Sequence, residues 1–525
     1  MRITNAMITN NTLSHINLNK LNMDKYNTQQ STGKKIQRPS DDPIIAVRAL
    51  RFRSQLAEIK QYLDKNVEDA NSWMELTEEV LTGVRDTLSD MQRYLDEGAN
   101  DPLDTHGREA VIKTLTGFRD QIYQDANFDF AGRRIFTGYK TDTDMIFATN
   151  EKTTKYRIQE KLSYEDFDTI SKVFNGVDVE MGSHFVDSST TIPPSSDPND
   201  PQPSPDDKTD IHRLRLAYSE LLEKDAAGNI ITLPSLTHTD AAGTTTKVAM
   251  TVVAAATDGK YYENGQAVAG AELNPYNPPV DGIYFLSDTG EIIFGKNAYQ
   301  KYKDGELALE YDKVGFSKGD LRPEHFFDCI RYKEDGTTEE VKFESNQQDI
   351  NYTINFNQKL KVNSEGRDFF THDVIRDLDD LINDLNGLTL IDEKISKVNK
   401  MLADPAYADD ENQKNLNSMK EALEKEKALQ GDIVQKRFER SITLYSQHQN
   451  KLDMEIADIG SRDNRLQLNK ARLTNQKTTI EDLKSSNEDI NLPETIIQLS
   501  AASMVYDASL SAASKVITKS LLDYL

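Results

Sequence analysis

The chain has 525 residues, which is enough for roughly two to four domains with cores of their own. Its formal net charge of −25 argues against a nucleic-acid or anionic-membrane surface, because both need clustered Lys and Arg. The single cysteine, Cys329, excludes an internal disulfide framework and a multi-cysteine metal site.

The first 33 residues predict a weak helix. Seven Asn residues fall among the first thirty, and Asn is a poor helix former. The apolar positions form only a ragged stripe. Gly33 is suited to end this helix, because glycine adopts the left-handed conformation after a helix at little cost.

A short segment rich in proline and aspartate then predicts the start of a long helix. It consists of Arg38, Pro39, Ser40, Asp41, Asp42 and Pro43. Asp42 can cap the helix, and Pro43 can occupy the first turn, where no N–H is needed. Asp41 is then an exposed or interface charge. We expect the helix to reach about Glu97, a length of roughly 80 Å that is typical of a rod.

Apolar residues repeat every seven positions along both ends of the chain, which is the spacing of a coiled coil. We predict that these rows form the core of a helical rod. Its core residues are Leu63, Val67, Met74, Leu81, Leu88, Leu95, Leu452, Ile459, Leu466, Leu473 and Ile480. Near the C-terminus, the second row of heptad positions beside the apolar row is partly polar. We therefore expect this helix to form one wall of a small helical bundle, and not half of a two-stranded coiled coil.

A third helix is predicted over 104–126. From about residue 141 to residue 370, helical spacing of apolar residues gives way to alternation, so we expect this region to be rich in β-strands. Alternating side chains predict strands over Val248–Val252 and Ile350–Phe356, and Asp288–Gly290 predicts a hairpin turn. Six prolines lie between residues 187 and 210, which predicts a disordered loop there.

Helices are expected again after residue 371. A short helix is predicted over 371–386, and a long one over 411–485, where Glu, Lys, Leu and Gln dominate. Pro493 breaks the pattern, and one more helix rich in Ala and Ser follows it.

The predicted fold is therefore mostly α, with a coiled-coil-like helical rod formed by both chain ends and an inserted β-rich domain, α+β overall. Residues 38–140 and 371–490 form the rod domain, and residues 141–370 form the exposed insert. Residues 1–37 and 491–525 are terminal helices that stay disordered until the protein assembles.

The terminal helices lack a convincing partner within the chain. Ordering them costs about 1–2 kcal/mol per residue, which burial against neighbouring subunits can offset. We therefore expect them to form the polymerisation interface. Its predicted residues are Ile3, Ile8, Ile16, Leu21, Leu499, Tyr506, Leu510, Ile517, Leu521, Leu522, Tyr524 and Leu525.

Several of these segments resemble the flagellin superfamily. Near the N-terminus the resemblance is carried by Met1 to Thr4, Gln30 to Ile36 and the segment from Arg38 to Pro43. Further along it is carried by Asn127 to Gly138, Ala508 to Leu510 and Ser520 to Leu525. Arg134 stands where the family usually has Tyr. The proline-bounded segment is similar to the hook-associated type found at the hook–filament junction, whereas filament flagellins usually have Ala-Asp-Asp-Ala-Ala-Gly there.

The resemblance, which covers roughly residues 1–140 and 411–525, implies a polymerising structural protein of the bacterial flagellum. It implies assembly in a ring of copies, beside neighbouring hook-associated protein and flagellin subunits. It also implies export through the flagellar export apparatus with a chaperone, and an extracellular location at the junction. We expect no cleaved signal peptide and no membrane insertion, because the first twenty residues lack an apolar core and no apolar run is long enough to span a bilayer.

Two other functions remain open at this point: a filament flagellin, or a surface- or glycan-binding domain carried in the insert. An enzyme is not predicted. Glu324 and His325 are not part of a His-Glu-x-x-His zinc motif, and residues 32–35 lack the glycine spacing of a phosphate-binding loop. Cys329 lies among apolar residues, which is typical of a packed thiol. We therefore expect no catalytic residues, cofactor, metal or nucleic acid.

Overall fold

A computed structural model describes residues 5–100, 104–173, 208–222, 230–240, 242–255, 261–264, 273–333 and 338–516. The α-helices are α1 (Asn5–Thr32), α2 (Pro43–Gln61), α3 (Glu68–Asn100), α4 (Thr105–Ala126), α5 (Lys296–Tyr302), α6 (Pro323–Phe326), α7 (His372–Ala403), α8 (Asp410–Glu488) and α9 (Leu492–Val516). A π-helical segment, Tyr62–Val67, joins α2 to α3 without a break. The predicted α+β class is confirmed.

Strands of two to twelve residues lie between α4 and α7. They are β1 (Asp129–Phe130), β2 (Arg133–Arg134), β3 (Glu151–Leu162), β4 (Phe167–Val173), β5 (Lys208–Arg215), β6 (Ser235–Thr239), β7 (Thr245–Val248), β8 (Thr251–Ala255), β9 (Tyr261–Glu263), β10 (Ile283–Leu286), β11 (Glu291–Phe294), β12 (Glu306–Phe316), β13 (Asp328–Tyr332), β14 (Glu339–Phe343), β15 (Asn351–Asn355) and β16 (Gln358–Lys361).

The chain divides into two compact units. Unit 1 consists of residues 1–72, 351–360 and 462–525, and unit 2 consists of residues 73–350 and 361–461. This division differs from the expected domains in two respects. Most residues expected to form the rod belong to unit 2, together with most of the insert. The hairpin at 351–360, which was expected in the insert, belongs to unit 1 with the chain ends.

In unit 1, α1 ends at Thr32, and Gly33 follows it in the left-handed region with φ +70°. The π-helical segment lies against the β15–β16 hairpin. There Asn66 donates its side-chain N–H to the Thr353 carbonyl at 2.7 Å, and Asn469 of α8 donates to the Ile354 carbonyl at 2.7 Å. Two amide side chains therefore satisfy the hairpin backbone, and the Ile354 side chain is fully buried.

The residues of the expected rod core are mostly buried. In unit 1 the buried ones are Leu63, Val67, Leu466 and Leu473, while Ile480 is half-buried. In unit 2 they are Met74, Leu81, Leu88, Leu95, Leu452 and Ile459. Gly98 allows α3 to approach α8 closely, since an added Cβ would lie 2.6 Å from the ring of Phe438.

Unit 2 contains two six-stranded sheets, in the orders β4-β5-β11-β10-β8-β9 and β14-β13-β3-β12-β6-β7. The hairpin predicted at Asp288–Gly290 is confirmed, because β10 and β11 are antiparallel neighbours on either side of it. The single strand predicted over Val248–Val252 is wrong. Here the chain crosses from β7 in one sheet to β8 in the other, and alternation along the sequence cannot show a change of sheet.

Two other boundaries differ from the prediction. Helix α7 continues from the expected end at residue 386 to Ala403, because its apolar face continues through Leu388, Ile391 and Val398. The disordered loop expected over 187–210 falls outside the described residues up to 207. Residues 208–210 instead belong to β5, which pairs with β4 and β11.

Buried charges join the first sheet of unit 2 to α7 and α8. Arg213 of β5 forms ion pairs with Asp168, at 2.9 Å, and with Glu291 and Asp380. Arg215 binds Asp380 at 2.9 Å, and also Asp377 and Asp373. The remaining members are Arg376, Asp384, Arg437, Arg440, His448 and Lys172. We call this set the ionic seam.

Cys329 is buried, as a packed thiol should be, and burial raises its pKa to about 12. Burial likewise lowers the pKa of His325 to about 4. Within the described part of the chain, no group of three or more His, Cys, Asp and Glu side chains is placed to hold a metal ion.

Candidate functional site: the paired terminal helices

Helices α1 and α9 pack against each other. The less exposed positions on each recur at alternating steps of three and four residues, which is the spacing of a coiled coil. On α1 they are Thr9, Thr12, Ile16, Asn19, Met23 and Tyr26, and on α9 they are Thr495, Leu499, Ala502, Tyr506, Ser509 and Ala513. The expectation that the terminal helices lack a partner within the chain is therefore wrong for these residues.

The opposite faces of the two helices carry larger apolar side chains. The exposed ones on α1 are Met7, Ile8, Leu13, Leu18 and Leu21, and those on α9 are Leu492, Ile496, Ile497, Met504, Val505 and Leu510. Each is between 38% and 69% exposed. Thr, Asn, Ser and Ala thus occupy much of the contact within the pair, while Met, Ile, Leu and Val face outward. A soluble helix pair has the reverse arrangement, and exposed apolar faces of this kind mark sites of protein association.

The predicted interface residues divide between these two surfaces. Ile8, Leu21 and Leu510 face outward. Ile16, Leu499 and Tyr506 instead lie at the contact between α1 and α9. Ile3, Ile517, Leu521, Leu522, Tyr524 and Leu525 lie outside the described residues. The sequence pattern does not separate the first two groups, because each helix is apolar on more than one side.

A short backbone pairing ties the end of α1 to the start of α9. The Lys35 N–H donates to the Glu488 carbonyl at 2.7 Å, and the Ile490 N–H donates to the Gly33 carbonyl at 3.0 Å. Lys34 forms an ion pair with Asp489. The segments that leave and enter the helix pair are thereby held side by side.

Glu488 also anchors α2 to this joint. Arg53 donates two hydrogen bonds to its carboxylate, at 3.0 and 2.7 Å. The Glu488 side chain is only 3% exposed, and burial alone would raise its pKa. The hydrogen bonds and charge of Arg53, together with the charge of Lys34, lower the pKa instead. Sequence analysis missed this contact, whose only signal is the opposite charge of distant segments.

The loop from Arg38 to Pro43 sets the start of α2. Asp42 accepts hydrogen bonds from the N–H groups of Ile44, at 2.9 Å, and Ile45, at 3.1 Å. Asp41 is exposed, and it accepts from the N–H groups of Gln37 and Arg38 at 3.0 and 2.9 Å. These backbone hydrogen bonds lower the Asp41 pKa. Asp41 thus closes the turn that precedes the capped helix.

A family match covers the N-terminal part of the chain. Residues 3–141 match a family described as the bacterial flagellin N-terminal helical region. In the described residues, the matched stretch comprises α1 to α4 and the β1–β2 hairpin.

Two curated relatives are similar to part of the chain. The flagellar hook-associated protein 3 of Escherichia coli (strain K12) is 36% identical over 116 residues. The flagellar hook-associated protein 3 of Salmonella typhimurium (strain LT2) is 36% identical over 115 residues. Each alignment covers 22% of this chain and 36% of the relative, so the match spans about a third of the curated proteins.

Among solved structures, the flagellar junction protein FlgL from Legionella pneumophila aligns with 85% of this chain and 100% of its own, at 11% identity and a TM-score of 0.28. None of the described helices is both long enough and apolar enough to cross a membrane.

Proposed function

We propose that this protein is a structural component of the bacterial flagellum, an adaptor between hook and filament that assembles through its terminal helices. The main support is the 36% identity, over about 115 residues, to two proteins named flagellar hook-associated protein 3, together with the flagellin-type match of residues 3–141. The names of these relatives describe proteins associated with the flagellar hook, and the proposal assigns no catalytic activity to the chain.

The observation that carries assembly is the outward apolar surface of the α1–α9 pair. An isolated helix pair with Leu18, Leu21, Ile497 and Met504 in water leaves apolar area unburied. Burial of such area is favourable by about 25 cal/mol per Å², so association with further helices stabilises the pair. Neighbouring hook-associated protein and flagellin subunits, and copies of this chain in a ring, supply those helices.

The proposal includes a route to the cell surface. The chain is exported by the flagellar export apparatus, with the help of an export chaperone. The terminal helices remain disordered until the protein reaches the growing structure, and the extracellular protein then lies at the hook–filament junction.

Deletion of residues 500–525 tests the role of the terminal helices. The deletion removes most of α9, and with it the partner of α1. We expect a soluble protein that no longer joins the distal end of isolated hooks, measured by pull-down and by electron microscopy of labelled protein. The control is Leu390→Asp, at a residue of unit 2 that is exposed and distant in sequence from both termini. Binding of the truncated protein to hooks would refute assembly through the terminal helices.

A filament flagellin is the second candidate, because the matched family is described as the flagellin N-terminal helical region. A filament protein polymerises with itself without limit, whereas a junction protein stops after a ring. Electron microscopy of the purified full chain distinguishes the two. Long homopolymers would favour the filament protein, and short rings or unassembled protein favour the junction protein.

A further inference from the structure

The outward side of α3 carries acidic side chains on either side of a glycine. Glu79, Gly83 and Asp86 are exposed, and their spacing of four and three residues places them on one side of the helix. The buried residues of α3 lie on the opposite side. From residue 75 to residue 92 the helix has five acidic residues and one basic residue, Arg85. We call Glu79, Gly83 and Asp86 the α3 row.

Within the described part of the chain, nothing requires a glycine at position 83. A Cβ added to Gly83 meets no atom within 4 Å. At Gly98 of the same helix, by contrast, the ring of Phe438 fills the space that a Cβ would need. Glycine inside a helix is destabilising relative to alanine. Close approach of a second molecule accounts for a glycine at this exposed position.

The outward side of α8 carries the opposite charge. Arg465, Leu468 and Arg472 are exposed, and they follow one another by three and four residues. Leu468 is 76% exposed although it is a large apolar residue. From residue 464 to residue 480 the helix has four basic residues and no acidic one. We call Arg465, Leu468 and Arg472 the α8 row.

The charged members of these rows are open to a partner. In the described part of the chain, neither Arg465 nor Arg472 forms an ion pair, whereas Lys470 beside them binds Glu68 at 2.8 Å. Glu79 likewise has no cationic partner among the described residues. An arginine beside an apolar side chain is a composition enriched in protein interfaces.

The two rows match in spacing as well as in charge. When the helices run in opposite directions, each member of one row falls opposite a member of the other: Arg465 with Asp86, Leu468 with Gly83, and Arg472 with Glu79. In both rows the charged residues are seven positions apart, which is about 10 Å along a helix. Because residues 464–480 include no carboxylate side chain, the acidic row meets no like charge. Arg85 lies off the row, and it binds only Oδ1 of Asp86, at 2.9 Å.

We propose that the α3 row of one copy binds the α8 row of a second copy, with the two helices antiparallel. Leu468 packs on the bare backbone at Gly83, and the two arginines pair with the carboxylates on either side. The rows differ, so each copy offers one of them to each of two neighbours. Such a heterologous contact produces a ring or a helical array rather than a closed dimer. This inference rests on the proposed assembly function and specifies which surfaces of neighbouring copies meet.

Disulfide formation between two single-cysteine variants of the full chain tests the contact. Cys329→Ser removes the one native thiol from both proteins. Concentrated Leu468→Cys protein is mixed with ¹⁵N-labelled Gly83→Cys protein, oxidised mildly, and analysed for linked peptides by mass spectrometry. Each variant has one thiol, so every link joins two copies. A disulfide needs Cα atoms within about 7 Å, so a link between positions 468 and 83 reports direct contact of the rows.

Gly117→Cys is the matched control for Gly83→Cys. Gly117 of α4 is also an exposed helical glycine at which a Cβ would meet no atom within 4 Å. Four residues before it, however, lies Lys113 rather than an acidic residue. We expect the disulfide between positions 468 and 83 to form at least ten times more than the one between positions 468 and 117.

Charge reversal tests the pairing of the two rows. Arg465→Glu with Arg472→Glu, in the Leu468→Cys protein, is expected to lower the disulfide yield at least fivefold. Glu79→Arg with Asp86→Arg, in the Gly83→Cys protein, is expected to restore it. All four side chains are exposed, so circular dichroism should show unchanged folding. Raising the salt concentration should lower the yield without charge reversal, because exposed charges are screened.

Three results would overturn the contact. They are a yield at position 83 no higher than at position 117, links of position 468 mainly to another copy's position 468, and a charge reversal that is not rescued. Attachment to isolated hooks separates this failure from failure of the proposed function. If wild-type protein joins hook ends but the disulfide does not form, the contact between the rows is wrong and the junction role stands. If wild-type protein does not join hook ends, the junction role fails, and the disulfide yields still decide the contact.

Discussion

Single side chains hold the joint between the terminal helices. The carboxylate of Glu488 is almost fully buried, and Arg53, with a smaller contribution from Lys34, holds its pKa below the ordinary value. A buried carboxylate that loses its cation is left with an uncompensated desolvation penalty. Its partner is half-exposed, however, and water screens part of the interaction.

Arg53→Ala should therefore destabilise unit 1 by about 1 kcal/mol at neutral pH. The folded-state pKa of Glu488 is depressed, so its contribution is present above the ordinary value of 4.5 and is lost as pH falls through the folded pKa. Hydrogen exchange of the amides at 488–490 measures the effect. Arg93→Ala, at an exposed residue 3.4 Å from Asp90, is the matched control and should change nothing. Equal exchange rates in wild type and Arg53→Ala would contradict this role.

A second residue-scale prediction concerns the close approach at Gly98. A Cβ there would lie 2.6 Å from the ring of Phe438, which is buried and cannot easily move. Gly98→Ala should cost about 1–3 kcal/mol through overpacking, despite the better helix propensity of Ala. Gly83→Ala in the same helix meets no atom within 4 Å and should be stabilising by about 0.5–1 kcal/mol. Urea unfolding measures both, and effects of the same sign would refute the steric account.

At the scale of elements, the ionic seam joins the β4–β5–β11 part of a sheet to α7 and α8. Burial alone would raise the pKa values of Asp377 and Asp380. Their partners lower both values instead: the charge of Arg215 and a hydrogen bond with His448 act on Asp377, and the charges of Arg213, Arg215 and Arg437 act on Asp380. Breaking one partner of such a buried pair typically costs 3–5 kcal/mol.

Arg213→Met should destabilise unit 2 by about 3–5 kcal/mol at pH 7. The stabilisation by the carboxylates is present above their ordinary pKa of 3.8 and decreases as pH falls toward their depressed folded values. The difference between wild type and variant should therefore shrink in strong acid. Urea unfolding followed by the fluorescence of Trp73, which is buried in the same unit, measures it. A difference independent of pH would contradict the ionic origin.

The control for this experiment is Arg331→Met. Arg331 also pairs with a carboxylate, Glu340 at 2.9 Å, but both side chains are partly exposed. Its loss should change stability by less than about 1 kcal/mol. A loss as large as that of Arg213→Met would show that removal of an arginine, rather than the buried position, determines the effect.

Helices with strong periodicity and the hairpin at Asp288–Gly290 could be predicted from the sequence, while the pairing of distant strands and other long-range contacts could not. The α4 and α8 boundaries follow from caps, proline and seven-residue rows. The β15–β16 hairpin was placed in the insert because alternation shows a strand but not its partner, which here includes Asn469 of α8. The ionic seam escaped prediction for the same reason, since its carboxylates and arginines lie far apart in the chain.

At the scale of the whole molecule, the terminal helices were expected to need neighbours because they lacked a partner. They do pair with each other in the structure, and the need for neighbours follows from a different feature, the outward apolar faces. Sequence periodicity shows that a helix is apolar on two sides, but not which side is covered within the chain.

The proposed junction role is tested most directly by the position of the protein on purified hook–filament preparations. Gold-labelled antibody against residues 273–333 of unit 2 leaves the terminal helices untouched. We predict labelling in a narrow band where the hook meets the filament, and no labelling elsewhere. Labelling along the whole filament would contradict the junction role and favour a filament flagellin.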